Sequence, residues 1–300
     1  MEAHAFERIT IMLQILINGI STGTVYSLIA IGFALVFNIL KFSNFSYGAT
    51  MTASAFVAYF LVASKGWGLF PTLLCSAAAG ALISIFGEFV GFRRILKNHS
   101  PSTYFFVSSI TLGSFYEGIV TLKTGTNFYV YPNFFDIPTI ELFGTVVSKE
   151  NIIMLIISAA ALVALAFIIQ KTRIGRAIRA VSFDRDTAQL MGINATLIIQ
   201  IVFVISGVFG GLAGCFLGIK YTLTATLGAL VVKGFIASVI GGLGSLVGAV
   251  IGAMLLGIME AVFLATMGSG WATIASFAVM LIFIIVRPQG IAGSNVQEKA

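Results

Sequence analysis

Long stretches without a charged residue most constrain how this chain can fold. They include residues 9–40, 42–64, 66–87, 151–170, 187–219, 234–259 and 261–286. A helix of about 20 apolar residues crosses the hydrocarbon of a bilayer and satisfies its own backbone hydrogen bonds. Only 9% of the residues are charged, against roughly 25% in a soluble domain. The pattern therefore predicts an all-α polytopic membrane protein, embedded in the lipid bilayer along most of its length.

The runs predict eight or nine transmembrane helices in a single membrane domain, residues 1–300. The predicted bounds are 9–37, 47–63, 69–92, 102–122, 151–170, 196–218, 226–241, 243–264 and 271–287. Polar and glycine residues interrupt the first run between Asn18 and Gly23, and the run 226–241 is short. Either is a candidate for a broken or re-entrant helix, which is tolerated only where protein or water covers the exposed backbone.

Basic residues predict the orientation of the spans, because lysine and arginine are enriched in cytoplasmic loops. An external N-terminus places eleven of them inside: Lys41, Arg93, Arg94, Lys97, Lys171, Arg173, Arg176, Arg179, Arg185, Arg287 and Lys299. The five outside are Arg8, Lys65, Lys123, Lys149 and Lys220. The loop 171–194 and the C-terminus are therefore predicted to be cytoplasmic. The net charge of +6 reports this orientation and indicates no nucleic-acid partner.

The loop 171–194 is predicted to be folded. Ile174, Ala177, Ile178 and Val181 follow the i, i+3, i+4, i+7 spacing of one helical face, which predicts a first amphipathic helix. A second helix from Arg185 to Met191 is predicted to be capped by Asp184 and ended by a left-handed Gly192. Connections between helices need only a few residues. A capped helix at the membrane surface therefore indicates a docking element.

The longest predicted external loop, 123–150, is rich in aromatic residues. It is a candidate for a short surface helix or a cap over an entrance, although the aromatic belt of a membrane protein accounts better for its composition. Glycines at spacings of three and four predict close helix packing: Gly207, Gly210, Gly211, Gly214, Gly218, Gly241, Gly244, Gly248 and Gly252. No GxxxxGK[ST] phosphate-binding motif accompanies them.

Apart from Arg287 at the end of the last one, four charged residues lie within the predicted spans: Glu88, Glu117, Lys233 and Glu260. A charge near the bilayer centre costs on the order of 3 kcal/mol, so such groups pair, face water or lie near helix ends. Glu88 is predicted to pair with Arg93 or Arg94, and Lys233 to extend its amine toward the interface. The four residues form no carboxylate ladder for proton transfer, and no catalytic or metal-binding motif is present. A transporter or a channel is therefore expected.

A resemblance separates these two classes. It rests on NGISTGTVYSLIAIGFALVF (18–37), KFSNFSYG (41–48), ITLG (110–113), RAVSFDRDTAQLMGIN (179–194), VVKGFIASVIGGLGSLVGAVIGAMLLGIMEAV (231–262) and VRPQGI (286–291). Each stretch alone is a weak match to the family pattern, but the order and spacing of all of them together are specific to it. Over nearly its whole length the chain resembles the LivH-like inner-membrane permease subunits of ATP-binding-cassette importers for branched-chain amino acids. The alternatives are a permease for urea, amides or another small polar solute, a stand-alone channel or ion-coupled carrier, and an intramembrane enzyme.

The resemblance implies that ATP and Mg²⁺ are bound by two partner ATPase subunits. The chain itself is then not an enzyme and binds no cofactor or metal. It also implies a second permease subunit, related or identical, and a periplasmic or extracellular solute-binding protein, in a bacterial or archaeal cytoplasmic membrane. The cytoplasmic loop becomes the ATPase-coupling loop, with the expected contact residues Asp184, Arg185, Asp186, Thr187, Ala188, Leu190, Met191 and Gly192. The small residues Ala188 and Gly192 are expected to allow close approach to the ATPase.

The family's NFAHG-like segment maps onto residues 44–48, where Tyr47 replaces a common histidine. Amide and hydroxyl groups near a helix break suit a solute path, and the candidate path residues are Asn18, Ser21, Thr22, Asn44, Ser46 and Tyr47. The alternative for Asn44 and Ser46 is a capping role at the start of the second span.

Overall fold

The computed structural model describes residues 2–98, 100–134, 139–142, 145–287 and 290–292. The helices are α1 (Glu2–Leu40), α2 (Ser46–Lys65), α3 (Leu69–Gly87), a π-helical turn (Glu88–Phe92), α4 (Arg93–Lys97), α5 (Ser102–Thr124), α6 (Lys149–Lys171), α7 (Arg173–Phe183), α8 (Arg185–Leu190), α9 (Ala195–Lys220), a 3-10 helix (Ala225–Leu230), α10 (Val231–Gly241), α11 (Leu246–Met267) and α12 (Ser269–Val286). The strands are β1 (Thr139–Leu142) and β2 (Thr145–Ser148). The predicted cytoplasmic C-terminus, 293–300, lies outside the described residues.

Eight helices in the described part of the chain are long and apolar enough to cross a bilayer, which confirms an all-α polytopic membrane protein. The predicted span 226–241 is instead a 3-10 helix followed by the 11-residue α10. Eleven helical residues cover about 16 Å, roughly half the hydrocarbon thickness. This segment is therefore a broken half-span.

The predicted interruption of the first span is wrong, because α1 runs unbroken through Asn18–Gly23. Its glycines serve close packing against α11. A Cβ atom on Gly19 would lie 2.9 Å from Ile258 Cα, and one on Gly23 would lie 3.0 Å from Met254 Cα. With α6, α9 and α10 also packed on it, α1 lies at the centre of the bundle.

Glycine pairs set the closest helix contacts elsewhere, as predicted. A Cβ atom on Gly80 of α3 would lie 2.2 Å from the carbonyl oxygen of Gly207 in α9, and one on Gly241 would lie 2.0 Å from that of Gly248. Hydrophobic burial does not drive helices together in lipid, so close backbone approach provides the packing energy.

The loop between α5 and α6 forms a two-stranded antiparallel hairpin in which Thr139 pairs with Ser148. Tyr129 pairs with Leu223 in an isolated bridge, which joins this loop to the chain leaving α9. The predicted short surface helix is wrong for the described residues 125–134, 139–142 and 145–148, because none of them is helical. Residues 135–138 and 143–144 of this loop lie outside the described residues.

Candidate functional site

After α1 the chain turns back into the bundle before α2 begins. Lys41 takes a left-handed conformation with φ of 53°, and the next side chain, Phe42, is buried between Phe92 and Phe105 at ring-centroid distances of 5.3 and 5.0 Å. The side chain of Tyr47 then packs against Gly32, where an added Cβ atom would lie 2.0 Å from the tyrosine oxygen. Gly32 precedes the end of α1 by two helical turns. The α2 helix therefore starts inside the bundle.

The start of α2 meets the other break in the bundle, the 3-10 helix before α10. A Cβ atom on Gly48 would lie 2.3 Å from the carbonyl oxygen of Gly228, and one on Gly228 would lie 2.6 Å from that of Gly48. Only glycine allows this contact without moving backbone. Non-helical backbone at membrane depth is tolerated where protein buries it or where it lines a water-filled cavity.

A cavity of about 420 Å³, here called the junction groove, lies against these two breaks. It is lined by Phe45, Ala49, Phe106, Ile110, Gly113, Ser114, Glu117, Ala225, Thr226, Gly228, Ala229, Val231 and Val232. Most of these side chains are apolar, two carry hydroxyl groups, and Glu117 supplies the single carboxylate of the lining. The groove therefore combines apolar walls with a single negative charge, the carboxylate of Glu117.

Glu117 is exposed on α5, about 10 Å along the helix from its end at Thr124. Within the described residues the ion pairs are Glu88–Arg93 and Lys233–Glu260, so no described cation neutralises Glu117. A carboxylate facing hydrocarbon would cost on the order of 3 kcal/mol. This face of α5 is therefore suited to water, a solute or a protein partner rather than to lipid.

The candidate path residues on α1 join helices together. Ser21 is buried and donates to the carbonyl of Asn151 at 3.1 Å. Asn151 donates its side-chain amide to Asn18 Oδ1 at 3.2 Å, and the Lys220 amine donates to the hydroxyl of Thr22. These bonds fasten α1 to the first turn of α6 and the end of α9.

The candidate path residues before and in α2 form a second, separate group. Asn44 Oδ1 accepts hydrogen bonds from the Ser46 amide at 3.2 Å and the Ser46 hydroxyl at 2.7 Å. Tyr47 donates to the carbonyl of Leu28 at 3.5 Å. All three path residues are buried, and the groove is lined by their neighbours Phe45 and Ala49 instead. The Asn44 side chain therefore satisfies the amide of the first residue of α2, whereas the N-cap residue, Phe45, makes no side-chain cap hydrogen bond.

The groove was missed at the sequence level. Its two available signals were the isolated charge of Glu117 and the short, glycine-containing run after Thr224. What no local pattern reveals is that residues 41–45 turn inward and bring α2 against that run.

Two of the other charged residues within spans form an ion pair that holds α10. The Lys233 amine lies 2.5 Å from Glu260 Oε1 on α11, with side chains 14% and 17% exposed. Tyr26 of α1 donates to Glu260 at 2.9 Å and accepts from Lys233 at 3.0 Å. Lys233 therefore pairs rather than extending its amine to the interface. The predicted ion pair between Glu88 and Arg93 is confirmed at 2.8 Å.

The loop 171–194 is folded as predicted, into the pair of helices α7 and α8, here called the α7–α8 hairpin (residues 173–190). Asp184 Oδ1 accepts from the backbone amides of Asp186 at 2.9 Å and Thr187 at 3.1 Å. The Thr187 hydroxyl donates to Asp184 Oδ2 at 2.7 Å. The hydrogen bonds from Thr187 and then Asp186 lower the pKa of Asp184. Gly192 is left-handed, with φ of 83°.

The outer end of the hairpin presents large apolar side chains to solvent. Phe183 is 94% exposed, Leu190 88% and Met191 79%, and all three lie between the spans α6 and α9. Large apolar side chains left exposed on a folded surface segment favour a protein interaction site. Ala188 is 5% exposed and belongs to the buried core, so its small side chain is packed inside the protein. We refer to Phe183, Leu190 and Met191 as the apolar tip.

The hairpin is tied to two spans. Thr172, between α6 and α7, donates its hydroxyl to the Ile168 carbonyl of α6 at 2.6 Å and accepts from the Gly175 amide of α7 at 3.1 Å. Ser182 donates to the side-chain oxygen of Asn38 at 2.7 Å, close to the end of α1. A displacement of the hairpin therefore acts on α6 and α1 together.

Comparison with known proteins identifies the family. The model of the branched-chain amino acid transport system permease component matches residues 15–286. The chain belongs to this permease family. The LivH permease of the high-affinity branched-chain amino acid transport system of Escherichia coli K12 is 30% identical, covering 98% of the chain and 99% of LivH. The BraD permease of Pseudomonas aeruginosa is 30% identical, covering 96% and 97%.

Among solved structures, PsaBC from Streptococcus pneumoniae in complex with Fab is similar in fold. The TM-score is 0.51 at 15% sequence identity, with 92% of each chain covered. The family match and the eight apolar helices together make the chain a multi-pass membrane permease.

Proposed function

We propose that the chain is the transmembrane subunit of an ATP-driven importer that carries branched-chain or related amino acids across the inner membrane. LivH and BraD, with which it aligns over almost its whole length, are permeases of branched-chain amino acid transport systems. The observation that carries the ATP-driven part is the apolar tip on a capped, anchored hairpin, because a stand-alone carrier has no need of a docking surface there.

In this assembly the α7–α8 hairpin and the C-terminus face the cytoplasm. The apolar tip docks on one of two ATPase subunits, which bind ATP and Mg²⁺. A second permease subunit, related or identical, packs beside this one, and an external binding protein delivers the amino acid. The residues Asp184 to Gly192 form the coupling element, with Asp184 and Gly192 fixing its shape and Leu190 and Met191 making the contact.

Coupling follows from the connections of the hairpin. When the ATPases close, they displace the apolar tip. The bonds of Thr172 to the Ile168 carbonyl and of Ser182 to Asn38 pass that displacement to α6 and α1. Rigid-body movement of such spans against their partner exposes a central site to one side and then to the other.

The junction groove is the part of the path that this subunit contributes. An amino acid carries an ammonium group, for which Glu117 supplies the opposite charge. Branched aliphatic side chains suit the apolar walls formed by Phe45, Phe106 and Val231. The second permease subunit covers the open side, which keeps Glu117 away from lipid.

The coupling role is tested in the complete importer reconstituted in liposomes, by replacing Leu190 and Met191 with serine. ATP-driven amino-acid uptake should fall at least tenfold, because truncating central apolar contacts of an interface costs 2 kcal/mol or more, while the helical content stays unchanged. Gln189→Ser, an exposed polar neighbour on the same helix, is the matched control. Full uptake by the double variant, or uptake by the purified chain alone, would refute the proposal and favour a carrier or channel.

A further inference from the structure

Another cavity, of about 270 Å³, lies between the end of the span Leu69–Lys97, the start of α8 and the start of α9. It is lined by Glu88 from the π-helical turn, by Arg93, Leu96 and Lys97 from α4, by Arg185 from α8, and by Thr196 and Ile199 from α9. We call it the basic pocket. Three segments distant in the sequence thus place three cations and one carboxylate around a single cavity.

The charges of the basic pocket do not cancel. Glu88 is fully buried, and both of its oxygens accept from Arg93, at 2.8 Å from Nη2 and 3.3 Å from Nε. A two-pronged pair of this kind neutralises the guanidinium. Among the described residues, no ion pair involves Lys97 or Arg185. The pocket therefore retains two positive charges.

Arg185 carries an unused donor. Its Nη1 donates to the Leu96 carbonyl at 3.5 Å, while its Nε atom is buried and has no hydrogen-bond partner. Buried donors without a partner are rare and are normally satisfied by a bound group or water. The guanidinium of Arg185 is thus held at the pocket with a donor left over.

The start of α9 adds to the same positive field. Thr196 is the second residue of this 26-residue helix and brings a hydroxyl group to the pocket. The N-terminal end of a helix carries partial positive charge and favours anions. Two cations, a spare guanidinium donor, a hydroxyl and a helix N-terminus are together the chemistry of a phosphate site.

We propose that the basic pocket binds the phosphate of an anionic phospholipid headgroup. Lys97 ends the span that begins at Leu69, so the pocket lies at the boundary of the membrane. The side chains of Phe89 and Val90, about two turns before Lys97 on that span, are 61% and 55% exposed, and Leu197 beside Thr196 is 52% exposed. These apolar surfaces suit acyl chains hanging from a headgroup held in the pocket, and basic pockets between spans are known lipid sites.

Such a lipid would join the membrane to the docking hairpin. Its phosphate would contact Arg185, the first residue of α8, and Lys97 at the end of the α3–α4 span at the same time. The hairpin position would then depend on the anionic lipid content of the bilayer, independently of which solute is carried.

The test uses the assembled importer in nanodiscs of phosphatidylcholine with phosphatidylglycerol. The lipid that stays bound after extraction into mild detergent is counted by native mass spectrometry. Lys97→Gln combined with Arg185→Gln should lower phosphatidylglycerol retention roughly tenfold, because each basic residue contributes to anionic-lipid attraction. The control Arg94→Gln removes an exposed charge from the same short helix outside the pocket and should retain the lipid. Lys97→Arg with Arg185→Lys should also retain it, which separates charge from folding.

Equal loss of lipid in the Arg94→Gln control would overturn the proposal, because the effect would then be general electrostatics. Inorganic phosphate is titrated in parallel into the importer in phosphatidylcholine alone. If phosphate protects the wild type against thermal unfolding but no phosphatidylglycerol is retained, the anion is soluble and the lipid assignment is wrong. Retention unchanged in the double glutamine variant would also refute it.

Discussion

Replacing Lys233 by methionine should destabilise the protein by about 3 kcal/mol, at the low end of the cost of breaking a buried ion pair. The pair with Glu260 is short, at 2.5 Å, and the side chains are 14% and 17% exposed. Methionine fills the volume of the lysine stem but leaves the carboxylate of Glu260 with Tyr26 as its remaining described donor. The low end of the range applies because the pair is not fully buried.

The partner substitution Glu260→Gln should cost a similar amount, since it leaves the Lys233 ammonium without an opposite charge. The double variant should lose much less than the sum of the two, because neither charge is then left unpaired. The measurement is the free energy of unfolding in mixed micelles, from the loss of helical signal as denaturing detergent is added.

An additive double variant would refute the argument that the pair is energetically coupled. A loss below about 0.5 kcal/mol for both single variants would place the pair in the class of exposed salt bridges. Either outcome would mean that packing, rather than charge, holds α10 between α1 and α11.

Three further predictions follow from the groove and the hairpin. Glu117→Gln should lower uptake of amino acids by the assembled importer about tenfold, in line with the loss of one charge-assisted hydrogen bond. Docking of the ATPase should be unaffected. Unchanged uptake would show that Glu117 is not part of the path. Gly48→Ala should destabilise the fold by about 1–3 kcal/mol or more, as for overpacking, because its Cβ would lie 2.3 Å from a carbonyl oxygen. The control Gly118→Ala, whose Cβ would meet nothing within 4 Å, should leave the stability unchanged. Equal free energies of unfolding for the two variants would contradict the contact. Asp184→Ala should destabilise α8 by removing its N-cap, as followed by faster amide exchange in that helix. Because folding lowers the pKa of Asp184, the wild-type cap should persist at neutral pH and be lost only below the ordinary pKa of 3.8. A cap that melts near neutral pH would contradict this.

Local patterns predicted the hairpin well because its structure is decided locally. The cap of Asp184 and the left-handed Gly192 depend on residues within one or two turns, and the structure confirms both. The apolar stripe holds at Ile178 and Val181, which are each 2% exposed, whereas Ile174 is 43% exposed. The eight long spans were equally visible, because their length and apolar character are properties of single segments.

The features that the sequence did not predict depend on tertiary contacts. The glycines between Asn18 and Gly23 give the same sequence pattern whether they break a helix or pack it against another helix. Only the position of α11 shows that they pack α1 against it. Lys233 and Glu260 pair across two helices, so neither position alone reveals a partner. The junction groove depends on the inward turn at Lys41.

The unbroken course of α1 has a mechanical consequence. From Asn38, which holds the hairpin, to Asn18, which holds the first turn of α6, the helix runs about 30 Å without an interruption. A helix of this kind behaves as a stiff rod, so a tilt imposed at one membrane face reaches the opposite face without delay or loss in a flexible joint. In the proposed importer, opening on one side and closing on the other then become a single movement.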